Sequence, residues 1–286
     1  MAERQDISFR ANGVDLAAWF YPAAAGAPVV VMSHGLSAIR RMNLDDVARV
    51  FQQAGLAVLC YDHRCFGDSG GEPACEADPW AQVRDMRDAI SFARTLDGID
   101  PERLGIWGTS YSGGHVLTVG ALDRRVKCVV SQVPFTHGAR TFEAWVPEKA
   151  RARTLERMTK DREARYAGSA PETVPAAMEG SETEEWAKAS DKEGRYPNKL
   201  TLRSLEMIRE YEPHQFAARV APTPLMMIVA ARDTQTPVEG QIETYELAGE
   251  PKKLVRLDCR HYDPYLSHID QAAGAARDWF VEHLRP

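Results

Sequence analysis

No stretch of this 286-residue chain is apolar for long enough to cross a bilayer: the longest apolar runs have the length of a strand, against the ~20 residues a helical span requires. Glu3, Arg4, Gln5 and Asp6 stand where a secretory leader would need an apolar segment, so the expectation is a cytoplasmic protein. Basic excess is also lacking; the formal net charge is −6, and no block of one sign forms a tail, which argues against a nucleic-acid or membrane-surface partner. Cysteine is sparse and odd in number, with 5 residues, so a disulfide framework is excluded. Cys60, His63, Cys65 and Cys75 fit no zinc-finger spacing, and Cys60 falls inside an apolar run; no metal is expected. Repeats and low-complexity tracts are absent.

What is present is an alternation of buried strands and helices. Ile7–Arg10 and Leu16–Tyr21, joined through Asn12-Gly13, read as a hairpin, because Asn-Gly accepts the positive φ angles of a tight turn. Val29–Ser33, Leu56–Tyr61, Leu104–Trp107, Val126–Val133, Leu225–Ala230 and Leu254–Leu257 are continuous apolar runs of strand length. Leu44–Ala54, Asp78–Thr95 and Ile269–Leu284 carry apolar residues at helical spacing. This alternation predicts an α/β fold with a mostly parallel, twisted sheet flanked by helices, and ligands bound beyond the carboxyl ends of the strands.

The rhythm breaks between residues 138 and 219. That segment shows no clear buried strand, is dense in Arg, Lys and Glu, and holds Trp145, Tyr166, Trp186, Tyr196 and Tyr211. Thr141–Tyr166 and Leu200–Tyr211 read as helical, Ala167–Asp191 as a loop-rich excursion. A plain linker would be shorter and poorer in aromatics, so 138–219 reads as a mainly helical cap inserted into a core of 1–137 and 220–286.

The stretch Gly108-Thr109-Ser110-Tyr111-Ser112-Gly113-Gly114 sits between a strand and a helix. A serine at such a sharp turn has its hydroxyl lifted above the sheet, provided that small residues flank it; Ser112 stands where glycine is usual. Serine needs a base oriented by an acid. In the order serine, acid, histidine, Asp233 follows Leu225–Ala230 and His261 follows Leu254–Leu257, so Ser110, Asp233 and His261 are the expected catalytic residues. Asp258 and Asp263 are competing acids but lie too near His261 in sequence to face it from an independent strand end; His34, His63, His137 and His214 precede the acid or fall in the cap. Oxyanion donors are expected at the backbone N–H groups of Tyr111 and Leu36, the latter in the loop His34-Gly35-Leu36. His34, Phe135, His137 and Trp145 are the expected walls of a substrate pocket, while Trp145 and Trp186 are equally at home in the core of the cap.

Over essentially its whole length the chain resembles the α/β-hydrolase superfamily. The resemblance is carried by Ser33-His34-Gly35, the run Tyr61–Gly70, the Ser110 turn, Asp233 with Pro237, and His261-Tyr262-Asp263-Pro264-Tyr265. Gly71-Glu72-Pro73, Asp78-Pro79-Trp80 and the Tyr111-Ser112 pair further resemble dienelactone-hydrolase-like proteins and the thiohydrolases and C–C hydrolases of fungal polyketide pathways, although Cys65 stands where those relatives commonly have glycine. The resemblance implies a serine hydrolase that needs no cofactor and works through an acyl-enzyme on a small-molecule ester, thioester or activated carbonyl compound, possible polyketides included. An aspartate at the turn would have implied a dehalogenase or epoxide hydrolase, and a cysteine a dienelactone hydrolase proper. Ser110-Tyr111 also suits an X-Pro or amide acylase of the cocaine-esterase type, and a binding protein or cyclase could use the same pocket without an acyl-enzyme. A homodimer through the cap or an outer helix is compatible with the aromatic content.

Overall fold

Asn12 and Gly13 both take positive φ angles, 44° and 80°, and close a hairpin in which Ala11 pairs with Val14. The protein is described by a computed structural model covering residues 2–284. The hairpin strands are β1 (Gln5–Ala11) and β2 (Val14–Tyr21); β3 (Ala27–Ser33), α1 (Leu44–Gln53), β4 (Ala57–Tyr61), α2 (Pro79–Ala93), β5 (Ile99–Thr109), α3 (Tyr111–Leu122) and β6 (Val126–Gln132) follow. An insertion then carries α4 (Gly138–Trp145), α5 (Glu148–Tyr166), β7 (Thr173–Val174), α6 (Glu182–Ser190), β8 (Leu200–Thr201) and α7 (Leu202–Arg209), and ends in a 3-10 turn at Pro213–Arg219. The chain returns to the sheet through β9 (Leu225–Ala230), α8 (Val238–Leu247), β10 (Lys252–Leu257) and α9 (Ile269–Leu284).

The 8-stranded sheet has the order β1-β2-β4-β3-β5-β6-β9-β10. Only the β1–β2 and β2–β4 pairs are antiparallel. Every residue of β3 is buried, and its side chains alternate between two cores: Val29 and Val31 pack with Met86, Ile90 and Val116 on one face, Val30 and Met32 with Phe51 and Phe280 on the other. Because β4 lies on one side of β3 and β5 on the other, the crevice for a ligand opens beyond the carboxyl ends of β3 and β5.

The insertion departs from the sequence expectation in detail. The expected helix Thr141–Tyr166 is two helices, since Pro147 has no N–H to donate and holds Val146 extended at φ −109°, ψ 105°. Within the expected loop lies α6, capped by the Ser181 side chain on the Glu184 N–H, with Glu182, Glu184 and Glu185 in its first turn. The two-residue strands β7 and β8 pair only with each other. No described helix is long and apolar enough to cross a membrane.

Gly105 in β5 is where α9 seats itself. A Cβ there would lie 2.6 Å from the Phe280 ring, so α9 approaches the sheet only because that side chain is missing. Gly105→Ala is therefore expected to overpack this face and to lower the unfolding free energy by about 1–3 kcal/mol, read as a lower urea midpoint at unchanged slope. An unshifted midpoint would mean that α9 is free to slide away.

Candidate active site

The chain crosses from β5 to α3 with almost no space to spare. A Cβ on Gly108 would stand 2.1 Å from the Ser112 carbonyl oxygen, one on Gly113 2.8 Å from Pro134 Cα, and one on Gly114 2.5 Å from the Phe135 carbonyl oxygen. Between them Ser110 is forced to φ 54°, ψ −116°, a conformation that costs a non-glycine residue ~1–3 kcal/mol. Two hydrogen bonds hold it there: the Ser110 N–H donates to the Gln132 carbonyl at 2.8 Å, and the Phe135 N–H donates to the Ser110 carbonyl at 2.8 Å.

The Ser110 hydroxyl faces a histidine and an acid that arrive on two other strand ends. His261 Nε2 lies 3.0 Å from Ser110 Oγ, and His261 Nδ1 lies 2.7 Å from Asp233 Oδ2. Asp233 and His261 are both buried. The Asp233 carboxylate accepts from the backbone N–H groups of Gln235 and Thr236 at 2.8 and 2.9 Å, from the Thr236 hydroxyl at 2.9 Å and from Gln241 Nε2 at 3.0 Å. Burial pushes this carboxyl up, but the facing His261 and the hydrogen bonds from His261 and Thr236 outweigh it, holding the group below the usual carboxylate range. The competing acids are elsewhere: Asp258 is exposed against Arg232, and Asp263 accepts from the Arg260 N–H at 2.7 Å.

Two N–H groups lie beside the serine. Tyr111 is the first residue of α3, so its N–H has no partner inside the helix. The His34-Gly35-Leu36 loop touches the turn, a Cβ on Gly35 falling 3.1 Å from Ser110 Cβ, and the Leu36 N–H meets no protein acceptor among the described residues. The His34 ring lines the cavity but serves the loop: its Nδ1–H donates to the Gly35 carbonyl at 2.9 Å and its Nε2 accepts from the His63 N–H at 3.0 Å. Burial lowers its pKa, which suits a neutral ring that accepts at Nε2.

Ser112, the departure from glycine, also has a physical reason. Its Oγ donates to the His34 carbonyl at 2.5 Å and receives the Nε2–H of His63 at 2.7 Å, tying the His34 loop to the turn. Sequence reasoning missed this role for Ser112 and His63, and only the small-residue requirement at position 112 hinted at it.

The cavity above Ser110 has a volume of about 690 Å³. Leu36, Ser110 and His261 form its base, and Phe142, Trp145, Met178, Trp186, Leu202 and Leu205 of the insertion wall it. Among the described residues no aspartate or glutamate lines it, and the one arginine that does, Arg157, is occupied by Glu172 at 2.7 Å. Phe135 and His137, expected as walls, are not among its lining residues. The Phe135 ring turns under the site, edge-on to Tyr111 at 5.4 Å and stacked on Tyr211 at 6.2 Å. His137 stacks on His214 at 3.9 Å, next to Glu243. Both follow from the same cause: the bond from the Phe135 N–H to Ser110 pulls the chain after β6 beneath the turn.

As for metals, Cys259, Asp263 and His268 bring ligand atoms within 4.8 Å of one another, beside the cationic Arg260 and outside the cavity lining. The Cys60, His63, Cys65 and Cys75 set does not gather this way; Cys60 is buried in β4 and His63 is spent on Ser112. Chemically, the arrangement at Ser110 can withdraw a proton from a hydroxyl, hold the resulting imidazolium against a carboxylate, and offer N–H donors to a developing oxyanion.

The chain resembles known hydrolases along nearly all of its length. A thiohydrolase of Eupenicillium brefeldianum is 30% identical over 99% of this chain and 92% of its own. The quorum-quenching protein AidA of Acinetobacter baumannii is 36% identical over 81% of this chain and 79% of its own. Among solved structures, the α/β hydrolase GrgF from Penicillium sp. superposes with a TM-score of 0.88 at 25% identity, covering 99% of each chain. The pattern of the X-Pro dipeptidyl-peptidase family (S15) matches residues 12–263. With that match and this fold, the chain is a hydrolase of the α/β-hydrolase superfamily and belongs to the S15 family.

Proposed function

We propose that the protein cleaves esters or thioesters of an extended apolar acyl group through an acyl-enzyme on Ser110, with His261 as base, Asp233 as its orienting acid, and the N–H groups of Leu36 and Tyr111 as the oxyanion hole. The observation that carries this reading is the line of short contacts, Asp233 to His261 at 2.7 Å and His261 to Ser110 at 3.0 Å, in a buried setting. His261 Nε2 takes the hydroxyl proton as Ser110 Oγ bonds to the substrate carbonyl carbon. The carbonyl oxygen becomes an oxyanion facing the two N–H groups. As the intermediate collapses, His261 returns the proton to the departing alcohol or thiol. Water then repeats the cycle and frees the acid.

Residues 138–219 act in this reading as a lid, and their apolar walls take the acyl chain. The thiohydrolase relative, aligned over 92% of its length, favours a thioester. The family match makes an X-Pro peptide the alternative. A free peptide N-terminus brings an ammonium group, however, and a cavity without a carboxylate in its lining would leave that charge unpaired.

In a fluorophosphonate assay the wild type is expected to gain one adduct that Ser110→Ala lacks. Ester turnover should fall roughly 10⁶-fold in Ser110→Ala and roughly 10⁴-fold in Asp233→Asn, with the fold unchanged by circular dichroism. Near wild-type turnover by Ser110→Ala would overturn the mechanism.

On p-nitrophenyl esters of increasing length, kcat/KM should rise by up to about fourfold per methylene, the ~0.8 kcal/mol each one gains on burial. Leu205→Trp, which fills the cavity, should remove that gain for long chains and spare the acetate. A length profile that Leu205→Trp leaves intact would place the acyl group elsewhere.

Because the native Asp233 carboxyl is depressed, its contribution to stability is present above the unfolded value of ~3.9 and is lost as pH falls through the lower native value. The stability advantage of the wild type over Asp233→Asn should therefore shrink between about pH 5 and pH 2. An advantage that widens on acidification would contradict this charge assignment.

A further inference from the structure

One hydroxyl of the insertion joins the two loops that hold the acid and the base. Thr183, in the first turn of α6, accepts from the Tyr262 hydroxyl at 2.9 Å and donates to Gln235 Oε1 at 3.2 Å. Tyr262 follows His261, and its ring stands edge-on to the imidazole at 4.8 Å and 86°. Gln235 belongs to the loop after β9, where its N–H donates to Asp233 at 2.8 Å and its carbonyl accepts from Trp145 Nε1 at 2.8 Å. Trp186, one turn on from Thr183, stacks on the Tyr262 ring at 4.8 Å and 14°. Thr183, Tyr262, Gln235, Trp145 and Trp186 all line the cavity.

We propose that Thr183 is a positioning residue: by bridging Tyr262 and Gln235 it clamps the His261 and Asp233 loops together, so that the base is aligned for Ser110 only when α6 is seated over the cavity. The inference rests on the acyl-enzyme reading given above. Its physical basis is that a single hydroxyl serves as acceptor for one loop and donor for the other. No protein side chain other than Thr183 accepts the Tyr262 hydroxyl among the described residues. Removing the hydroxyl strips both loops of a shared partner, whereas the Asp233–His261 contact itself is untouched. The clamp thus affects how often the base points at Ser110 rather than how well the cavity holds a substrate.

Phosphonylation by a small fluorophosphonate reads this alignment without involving the acyl chamber. Thr183→Val keeps the shape of the side chain and is expected to slow phosphonylation roughly tenfold, the scale of losing two neutral hydrogen bonds. On an ester, kcat should drop by a similar factor while KM stays within about twofold. Tyr262→Phe should slow it less, and the double variant should be no slower than Thr183→Val, because the two share one bond. Thr183→Ser, which restores the hydroxyl, should recover most of the rate. Wild-type phosphonylation by Thr183→Val, or a Thr183→Ser as slow as the valine variant, would overturn the clamp; should Thr183→Val not fold, an unaltered rate in Tyr262→Phe would do so. A wild type that takes up no phosphonate at all is a different result, since it removes the acyl-enzyme reading and the clamp with it.

Discussion

The rest of the site depends on a steric constraint: β5 and α3 pass each other so closely that position 108 has no room for a Cβ, which would meet a backbone oxygen at 2.1 Å. Backbone cannot yield as a flexible side chain can, so the constraint is absolute and is met by glycine at 108, 113 and 114. Its consequence is the strained φ of Ser110, which no residue would adopt unless bonds on both sides enforced it. The same crowding brings the His34-Gly35-Leu36 loop against the serine. It also explains how position 112 can carry a hydroxyl, since the close contact at Gly108 is with the backbone of Ser112 and leaves its side chain free to bond His34 and His63.

Electrostatics separates the histidines that surround this turn. His34, His63 and His115 are buried around it, and burial lowers all of their pKa values, that of His115 to about 3. His34 and His115 each use both ring nitrogens, His115 placing its Nε2–H on Gln82 at 3.0 Å, whereas His63 donates its Nε2–H to Ser112 and its Nδ1 meets no protein partner among the described residues. His261 instead faces a carboxylate, 2.7 Å from its Nδ1. That carboxylate has its own donors in Gln235, Thr236 and Gln241, so it remains ionised although buried. Sequence could nominate His261 by its place after a strand, yet what sets its surroundings apart is the carboxylate of Asp233 and the donors around it.

Legibility followed the range of the forces involved. Buried strands declare themselves through unbroken apolar runs, which is why β3, β4, β6 and β9 lie within a residue or two of where the sequence puts them, and why Ser110, Asp233 and His261 fall at strand ends. The insertion has no such period. Its longest helix, α5, is polar nearly all round and buries only Met158 and Asp161, so the break at Pro147 and the capped start of α6 at Ser181 are short-range signals hidden in a polar composition. Trp145 lines the cavity, whereas Phe135 and His137 lie outside its lining. Their positions depend on a bond between the Phe135 N–H and the Ser110 carbonyl, across 25 residues of chain, and no local pattern reports such a bond.

The insertion is rooted in the same core that positions the serine. At its far end the Tyr211 hydroxyl lies 2.8 Å from Thr118 and 3.2 Å from His115, both on α3, and Pro213 packs against Gly114. Along its middle it reaches the His34-Gly35-Leu36 loop through Tyr196 and Ser37 at 3.1 Å, the Asp233 loop through Trp145, and the His261 loop through Trp186. A segment fixed at its root by α3 and touching the loops of Ser37, Gln235 and Tyr262 is tied to the packing around Ser110. In the proposed mechanism, changing the cavity walls would also change the packing behind Ser110, Asp233 and His261. That mechanism therefore couples substrate choice to catalytic geometry through ordinary hydrogen bonds and ring contacts, with Trp145 and Trp186 serving as cavity wall on one side and buttress on the other.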